Sequence, residues 1–226
     1  MQNIAEGIIE FMLSEIQKVT GSASRARQFL PIVGTIFLFI LFSNWIGLFP
    51  GTGSIGIWET HNGVKVLIPF LRSAASDLNF TLAIALFAVL ASHVIGLRAV
   101  GGVNHLSKFF NIRGILQSFK KGPIAIMIAV IEFGVGLLEI VSEFAKVLSL
   151  SLRLFGNIFA GEVLITVMMG LFSLVLPIPF LFLEILVGVI QATVFSMLTL
   201  AYLTVATTSH EQHDDDHAPS HAQAHV

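Results

Sequence analysis

The chain has 226 residues, of which 55% are hydrophobic and only 12% are charged, and its mean hydropathy is +0.87. Soluble domains carry about 25% charged residues, so this composition excludes a large soluble domain and indicates a membrane protein with several spans. The net charge of −2 does not favour nucleic acid as a partner, and the absence of cysteine excludes disulfides, thiolate chemistry and cysteine-based metal sites.

The first predicted element is an amphipathic helix over residues 3–19, "NIAEGIIEFMLSEIQKV". Its apolar side chains recur at helical spacing between charged ones, as in a helix that lies on a membrane surface or packs on other helices. Glu6, Glu10 and Glu15 stand where a secretory signal peptide would carry a basic and then an apolar region. Residues 1–28 are therefore predicted to form this helix and a linker.

Residues 29–97 are predicted to hold two membrane spans. Residues 29–49 carry no charge and can cross about 30 Å of hydrocarbon, and Trp45 near their end suits the membrane interface. Residues 50–77 are rich in glycine and polar groups and are predicted to form a loop. Residues 78–97 form the second span, with His93 near its end.

The distribution of basic residues predicts the orientation in the membrane. The segment 98–121 carries no acidic residue and five basic ones, Arg98, Lys108, Arg113, Lys120 and Lys121, whereas the preceding loop has only Lys65 and Arg72. The positive-inside rule places 98–121 in the cytoplasm and the loop 50–77 outside. Two further passes return the C-terminus to the cytoplasm.

Residues 122–207 are predicted to form a long helical hairpin. Pro177 and Pro179 mark the break between a first helix at about 123–173 and a second at about 178–206. At about 1.5 Å per residue the first helix is too long for one perpendicular crossing, so it must tilt, kink or divide. The prediction is one all-α, polytopic membrane domain over 1–226. Its tail, 208–226, holds five histidines and three aspartates and is predicted to be disordered rather than a metal site.

Polar and ionisable residues interrupt the apolar hairpin. At about 100° per residue, seven of them share a sector of about 120° with Arg153 on a continuous helix: Glu132, Glu139, Ser142, Glu143, Lys146, Ser149 and Asn157. Glu162 falls about 180° away, so it cannot pair directly with Arg153 on an ideal helix. Glu143 and Lys146, three residues apart, form either an ion pair or part of a path.

The second helix of the hairpin carries Glu184 and Gln191 on one face, because they are seven residues apart. A turn near Ser173 would place Glu184 at the depth of Glu162, and Gln191 at the depth of Arg153. Two carboxylates close together in low dielectric suit a site that takes up and releases protons. Taken singly, Asn157 and Gln191 also fit interhelical hydrogen bonding, and Arg153 fits a structural charge. Intramembrane ionisable residues are otherwise candidates for function.

The segment "SLSLRLFGNIFAGEVL", Ser149 to Leu164, resembles the signature of the a subunit of F-type ATP synthases. The resemblance continues in "LEILVGVIQATVFSMLTLAYL", "FSNWIGLFPG" and "SDLNFTLAIAL". It implies a proton-conducting membrane subunit whose two long, tilted helices adjoin a rotating ring of c subunits, with two offset aqueous half-channels. It further implies peripheral-stalk b subunits, other ATP synthase subunits and lipid as partners, a bacterial plasma membrane, and no catalytic residue, cofactor or metal in this chain.

Matched by position, Arg153 resembles the essential arginine that faces the carboxylates of the ring. The resemblance places Asn157 and Gln191 beside it, and Glu162 and Glu184 along the half-channel open to the outside. It assigns Glu139 and Ser149 to the cytoplasmic path and Asp77 to the external end.

Two departures from the family pattern carry expectations of their own. Members usually carry another membrane helix before the amphipathic segment, and this sequence begins at that segment. Some members have histidine where Glu162 or Glu184 stands, so a version with two carboxylates is expected to titrate differently.

Two alternatives stay open at this point. A non-conducting anchor of a respiratory complex would need haem or quinone ligands, and His93 is the one histidine in the predicted spans. A sodium-coupled subunit is the other alternative.

Overall fold

The computed structural model describes residues 2–49, 55–61, 64–70, 73–100, 123–171 and 177–208. Within these ranges run the helices α1 (Gln2–Thr20), α2 (Ala23–Ile46), α3 (Leu78–Val100), α4 (Pro123–Leu171) and α5 (Pro177–Thr208). Four of these helices, α2 to α5, are long and apolar enough to cross a membrane. The prediction of an all-α polytopic membrane protein is confirmed.

The amphipathic helix α1 forms where the periodicity predicts it. Ile16 on one side is buried, whereas Ile9 and Phe11 are exposed. The helix ends at Gly21, whose φ of 68° lies in the left-handed region that glycine adopts without steric cost. The Gly21 N–H donates to the Gln17 carbonyl at 2.9 Å, as in an αL cap. This glycine ends α1 and allows the chain to turn before α2 begins.

The span α2 begins at Ala23, six residues before the predicted start at 29, and ends at Ile46. Hydropathy identifies only the part of a helix that crosses the hydrocarbon. The mostly polar residues 23–28 before that part are also compatible with a helix, so α2 starts earlier. At its far end, Gly47 lies so close to Ser73 that an added Cβ would come within 2.6 Å of the Ser73 Cβ. The Ser73 hydroxyl also donates to the Ser43 carbonyl at 3.4 Å, which ties the segment before α3 to the end of α2.

The segment between α2 and α3 differs from the predicted loop because it contains an antiparallel hairpin of β1 (Gly56–His61) and β2 (Val64–Pro69). In its register Ile57 is opposite Ile68. The strands are short runs of β-branched and aromatic residues, which favour a pleated conformation. The sequence between the strands is Asn-Gly, the strongest short-range signal for a hairpin. A turn of 3-10 helix, Ala74–Ser76, precedes α3.

The long hairpin helices form close to their predicted bounds. α4 is one helix of 49 residues, so it does not divide, and its length of about 73 Å far exceeds the ~30 Å hydrocarbon thickness. Pro177 is the first residue of α5, a position where the missing N–H costs no helical hydrogen bond.

The chain groups into two compact units. The first comprises residues 1–89 and 142–200, and its core includes Phe29 and Ile40 of α2, Leu154 of α4 and Phe195 of α5. The second comprises residues 90–141 and 201–226, in which Leu203 is fully buried. The predictions for most of the cytoplasmic loop and for the histidine-rich tail fall on 101–122 and 209–226, outside the described residues.

Candidate functional site

Within the first unit, α4 and α5 meet at a glycine and a carboxylate. A Cβ added to Gly161 would overlap the carboxyl carbon and both carboxyl oxygens of Glu184. The Glu184 carboxyl group therefore lies directly on the backbone of α4, in space that only a glycine leaves open. Glu184 is 7% exposed, so this ionisable group is held inside the helical bundle.

A second contact between these helices joins two amides. The Asn157 Nδ2 group donates to Gln191 Oε1 at 2.7 Å. Gln191 is buried and Asn157 is exposed, so the bond runs from the bundle interior to its surface. The Nε2 group of Gln191 is buried and has no hydrogen-bond partner among the described residues.

These contacts fix the register of α4 on α5. Glu184 lies against Gly161, the residue before Glu162, which agrees with the predicted match in depth between the two glutamates. Gln191 bonds to Asn157 rather than to Arg153, one helical turn from the partner that the depth argument suggested. Glu162 is half-buried and its Oε2 atom is buried, while its backbone carbonyl accepts the Thr166 hydroxyl at 2.7 Å.

Arg153 lies on the face of α4 that packs against nothing in the described chain. Leu150, Ser151, Leu154 and Ile158 form the buried face, and Arg153 is exposed. Its Nη2 group lies 3.5 Å from the Ser149 hydroxyl, at the long limit of a hydrogen bond. Among the described residues Arg153 forms no ion pair. Ser149, Arg153 and Asn157 are spaced four residues apart along this exposed face, as the predicted stripe requires.

The buried face opposite Arg153 is fixed by a pair of hydroxyls. Thr81 of α3 and Ser151 of α4 are both fully buried, and their oxygens are 3.4 Å apart. The Thr81 hydroxyl donates to the Leu78 carbonyl at 3.1 Å, so its lone pairs are free to accept the Ser151 hydroxyl. This polar contact between α3 and α4 sets the face that α4 turns outward.

Asn44 of α2 was not singled out from the sequence, although it lies in the quoted "FSNWIGLFPG" segment. Its Nδ2 group donates to the Gly188 carbonyl of α5 at 3.3 Å, and its Oδ1 atom is buried without a partner among the described residues. Gly188 lies one helical turn from both Glu184 and Gln191. An amide within an uncharged span is the signal that could have identified this residue. Trp45, predicted at the membrane interface, donates to the Ile185 carbonyl at 3.4 Å.

The other candidates lie apart from this group. Asp77 caps α3, because its Oδ1 atom accepts the Asn79 N–H at 2.8 Å. Glu139 is half-buried and belongs to the second unit. Lys146 and Glu143 form an ion pair at 2.6 Å, one of the two arrangements that their spacing allowed.

The fold and these buried polar contacts define a polytopic α-helical membrane protein that carries ionisable groups within its spans. The family model of the ATP synthase A chain matches residues 1–204. ATP synthase subunit a of Gloeobacter violaceus is 34% identical over 217 residues, which cover 96% of this chain and 74% of the relative. ATP synthase subunit a of Campylobacter jejuni is 33% identical over 213 residues, 94% of this chain and 79% of the relative. The chain therefore belongs to the ATP synthase A chain family, whose members are membrane subunits of ATP synthesis and proton transport.

Proposed function

We propose that this subunit conducts protons through two aqueous half-channels at its interface with a rotating ring of c subunits. Proton flow through them couples the proton gradient across a bacterial plasma membrane to ATP synthesis. The subunit itself performs no ATP chemistry. Peripheral-stalk b subunits hold it in the complex, and its C-terminus lies in the cytoplasm.

The observation that carries the proposal is the environment of Arg153. It lies in a helix that is apolar enough to cross a membrane, on an exposed face and without a carboxylate partner among the described residues. A charge at mid-bilayer costs roughly 2.5–3.5 kcal/mol on insertion scales, and a partner beyond the described residues would offset that cost. Carboxylates that a ring presents one after another would supply that partner.

The pairing must stay exchangeable for the ring to turn. A dry, well-formed ion pair in low dielectric would be too strong to break at each step. The neighbouring Asn157 amide and Ser149 hydroxyl would keep the site polar and partly hydrated. Arginine suits this position better than lysine because it keeps its proton even in an apolar environment.

Buried polar groups on α5 and α2 support the external half-channel. Glu184, Gln191 and Asn44 are each less than 10% exposed and lie within two helical turns of one another. Asn44 Oδ1 and Gln191 Nε2 offer an acceptor and a donor that water can satisfy. Together with Glu162, these groups supply a hydrated route for protons that ends at the Asn157–Gln191 hydrogen bond, beside Arg153.

The order of residues along α4 supports two routes on opposite sides of Arg153. Glu162 follows it in sequence, whereas Ser149 and Glu139 precede it and would line the cytoplasmic route. Asp77, on the exposed N-terminus of α3, would stand at the external end. Arg153 would then separate the two half-channels and prevent protons from passing directly between them.

The test uses inverted membrane vesicles that carry the assembled complex with Arg153→Ala or Arg153→Lys. We expect both variants to lose ATP-driven acidification, and Arg153→Ala to add a passive proton leak. Arg27→Ala removes an exposed charge at the start of α2 and serves as the matched control. Unchanged pumping in Arg153→Ala, with the complex assembled, would contradict the proposal.

A further inference from the structure

The β1–β2 hairpin exposes large apolar side chains at its base. Ile55, Ile57, Trp58 and Phe70 are each 60% or more exposed, and Ile68 is 46% exposed. Soluble proteins rarely leave so many neighbouring apolar groups in water, and a patch of this kind marks a surface that something covers. The role proposed for the helices does not involve these residues.

The base of the hairpin is held close to the end of a membrane span. Ser73 lies against Gly47 at the end of α2, and Phe70 is only three residues from Ser73, so it is within about 10 Å of Ser73. The Phe70 N–H donates to the Ile55 carbonyl at 2.9 Å, which closes the base at the same level. At the end of α2 itself, Ile46 and Phe49 are also exposed. The apolar surface of the span therefore continues onto the hairpin.

The exposure of large apolar side chains changes along the hairpin. Those described as exposed occupy the end next to the helices, whereas the exposed Glu59 and Thr60 lie nearer the turn, opposite Val66 and Lys65 of β2. This gradient runs in the same direction as the passage from hydrocarbon to water at a membrane surface. Tryptophan is the side chain most enriched at that boundary.

The exposure of apolar side chains on both faces of the hairpin favours lipid over a protein partner. Ile57 and Trp58 are consecutive strand residues, so they project from opposite faces, and they are 60% and 66% exposed. A protein that packs on one face would leave the other in water, whereas lipid surrounds both faces. The strands also carry backbone groups at their free edges, which need water and keep the hairpin out of the hydrocarbon core.

We infer that the base of the β1–β2 hairpin is a membrane anchor whose side chains enter the headgroup–acyl boundary of the leaflet at that end of α2. Ile55, Ile57, Trp58, Ile68 and Phe70 lie in the lipid, and the turn end stays in water. The hairpin thereby fixes the depth of the adjoining ends of α2 and α3.

The chain has no cysteine, so single cysteines can be introduced without a background label on this subunit. Nitroxide labels at Ile57→Cys and Trp58→Cys sample the two faces, and a label at Thr60→Cys is the matched control near the turn. The full chain is reconstituted in phosphatidylcholine–phosphatidylglycerol vesicles, and the assembled complex is measured in parallel. We expect both base positions to be accessible to oxygen and several-fold less accessible than Thr60→Cys to a water-soluble nickel chelate.

Two outcomes would overturn the anchor. Equal access of the nickel chelate to all three positions would show a hairpin in water. Protection of one face only, and only in the assembled complex, would show a protein partner instead of lipid.

A second measurement needs no label. The chain has two tryptophans, so Trp45→Phe leaves Trp58 as its sole tryptophan. In the reconstituted chain we expect its emission to be quenched by lipids brominated near the headgroup. Quenching by aqueous iodide alone would contradict the anchor. Neither readout depends on proton conduction, so the anchor and the proposed function can fail separately.

Discussion

Gly161→Ala should disable proton conduction by displacing the Glu184 carboxyl group. Ordinary contact between a methyl group and carboxyl atoms requires about 3.5–4.0 Å, and the new Cβ would lie far inside that distance from all three atoms. The carboxyl group must therefore move by about 1–2 Å, because the α4 backbone beneath it cannot give way as easily. A shift of about 1 Å in a reacting group can cost roughly a hundredfold in rate.

We therefore expect ATP-driven proton pumping in inverted vesicles to fall by about one to two orders of magnitude. The effect on stability should be smaller. Overpacking costs about 1–3 kcal/mol, and replacing a mid-helix glycine with alanine returns about 0.5–1 kcal/mol. The complex should thus assemble while its conduction fails, which separates a positional effect from misfolding.

Gly170→Ala is the matched control, because it lies on the same helix and an added Cβ there meets nothing within 4 Å. A rescue variant sharpens the test: Glu184→Asp withdraws the carboxyl group by one methylene, so the double variant Gly161→Ala/Glu184→Asp should pump better than Gly161→Ala alone. If Gly161→Ala pumps as well as Gly170→Ala, the buried contact with Glu184 has no part in proton transfer.

Three further predictions concern the amides and the helix cap. Asn157→Ala should lower the free energy of unfolding by about 1–3 kcal/mol, because the buried Gln191 side chain loses the donor to its Oε1 atom, and calorimetry of the purified complex would measure this. An unchanged value would mean that water replaces the amide. Asn44→Leu should change the free energy of unfolding by less than about 1 kcal/mol, since it removes an unpaired buried acceptor along with one hydrogen bond. The same substitution should reduce the rate of passive proton flow through vesicles stripped of the peripheral sector. An unchanged rate would show that Asn44 is not part of the route. Asp77→Ala should cost about 0.5–2 kcal/mol of stability through loss of the α3 cap, whereas Asp77→Asn should retain most of the stability because asparagine can also cap a helix. Equal losses of pumping in both variants would instead show that the Asp77 carboxylate takes part in proton transfer.

The helices were predictable because membrane spans can be recognised in a sequence by their length and hydropathy. α4 and α5 follow long, predominantly apolar runs separated at Pro177, and their bounds agree with prediction to within two residues. The start of α2 and the β hairpin were missed for a shared reason. Hydropathy reports where lipid is crossed, and it does not register a helix that starts before the span or a hairpin that lies between spans. The Asn-Gly pair was the local signal for the hairpin.

The candidate site divides in the same way. Arg153, Glu162 and Glu184 stand out in the sequence because a charge inside the membrane is costly and therefore conspicuous. Gly161, Asn44 and Thr81 carry no charge, and their importance lies in what touches them across a helix boundary. No local sequence pattern encodes the packing of α4 against α5. That packing places the Glu184 carboxyl group in the space left by the missing side chain of Gly161.

The contact between Gly161 and Glu184 has a consequence for sequence variation in this family. The two positions are 23 residues apart in the chain but share one volume. The Glu184 side chain fills the space that a side chain at position 161 would occupy. Substitution at either position is therefore constrained by the residue at the other. A member with a smaller side chain in place of Glu184 is free to carry alanine or serine in place of Gly161, whereas a bulky side chain there demands glycine. Covariation between these two columns of an alignment would be the evolutionary trace of a steric fit.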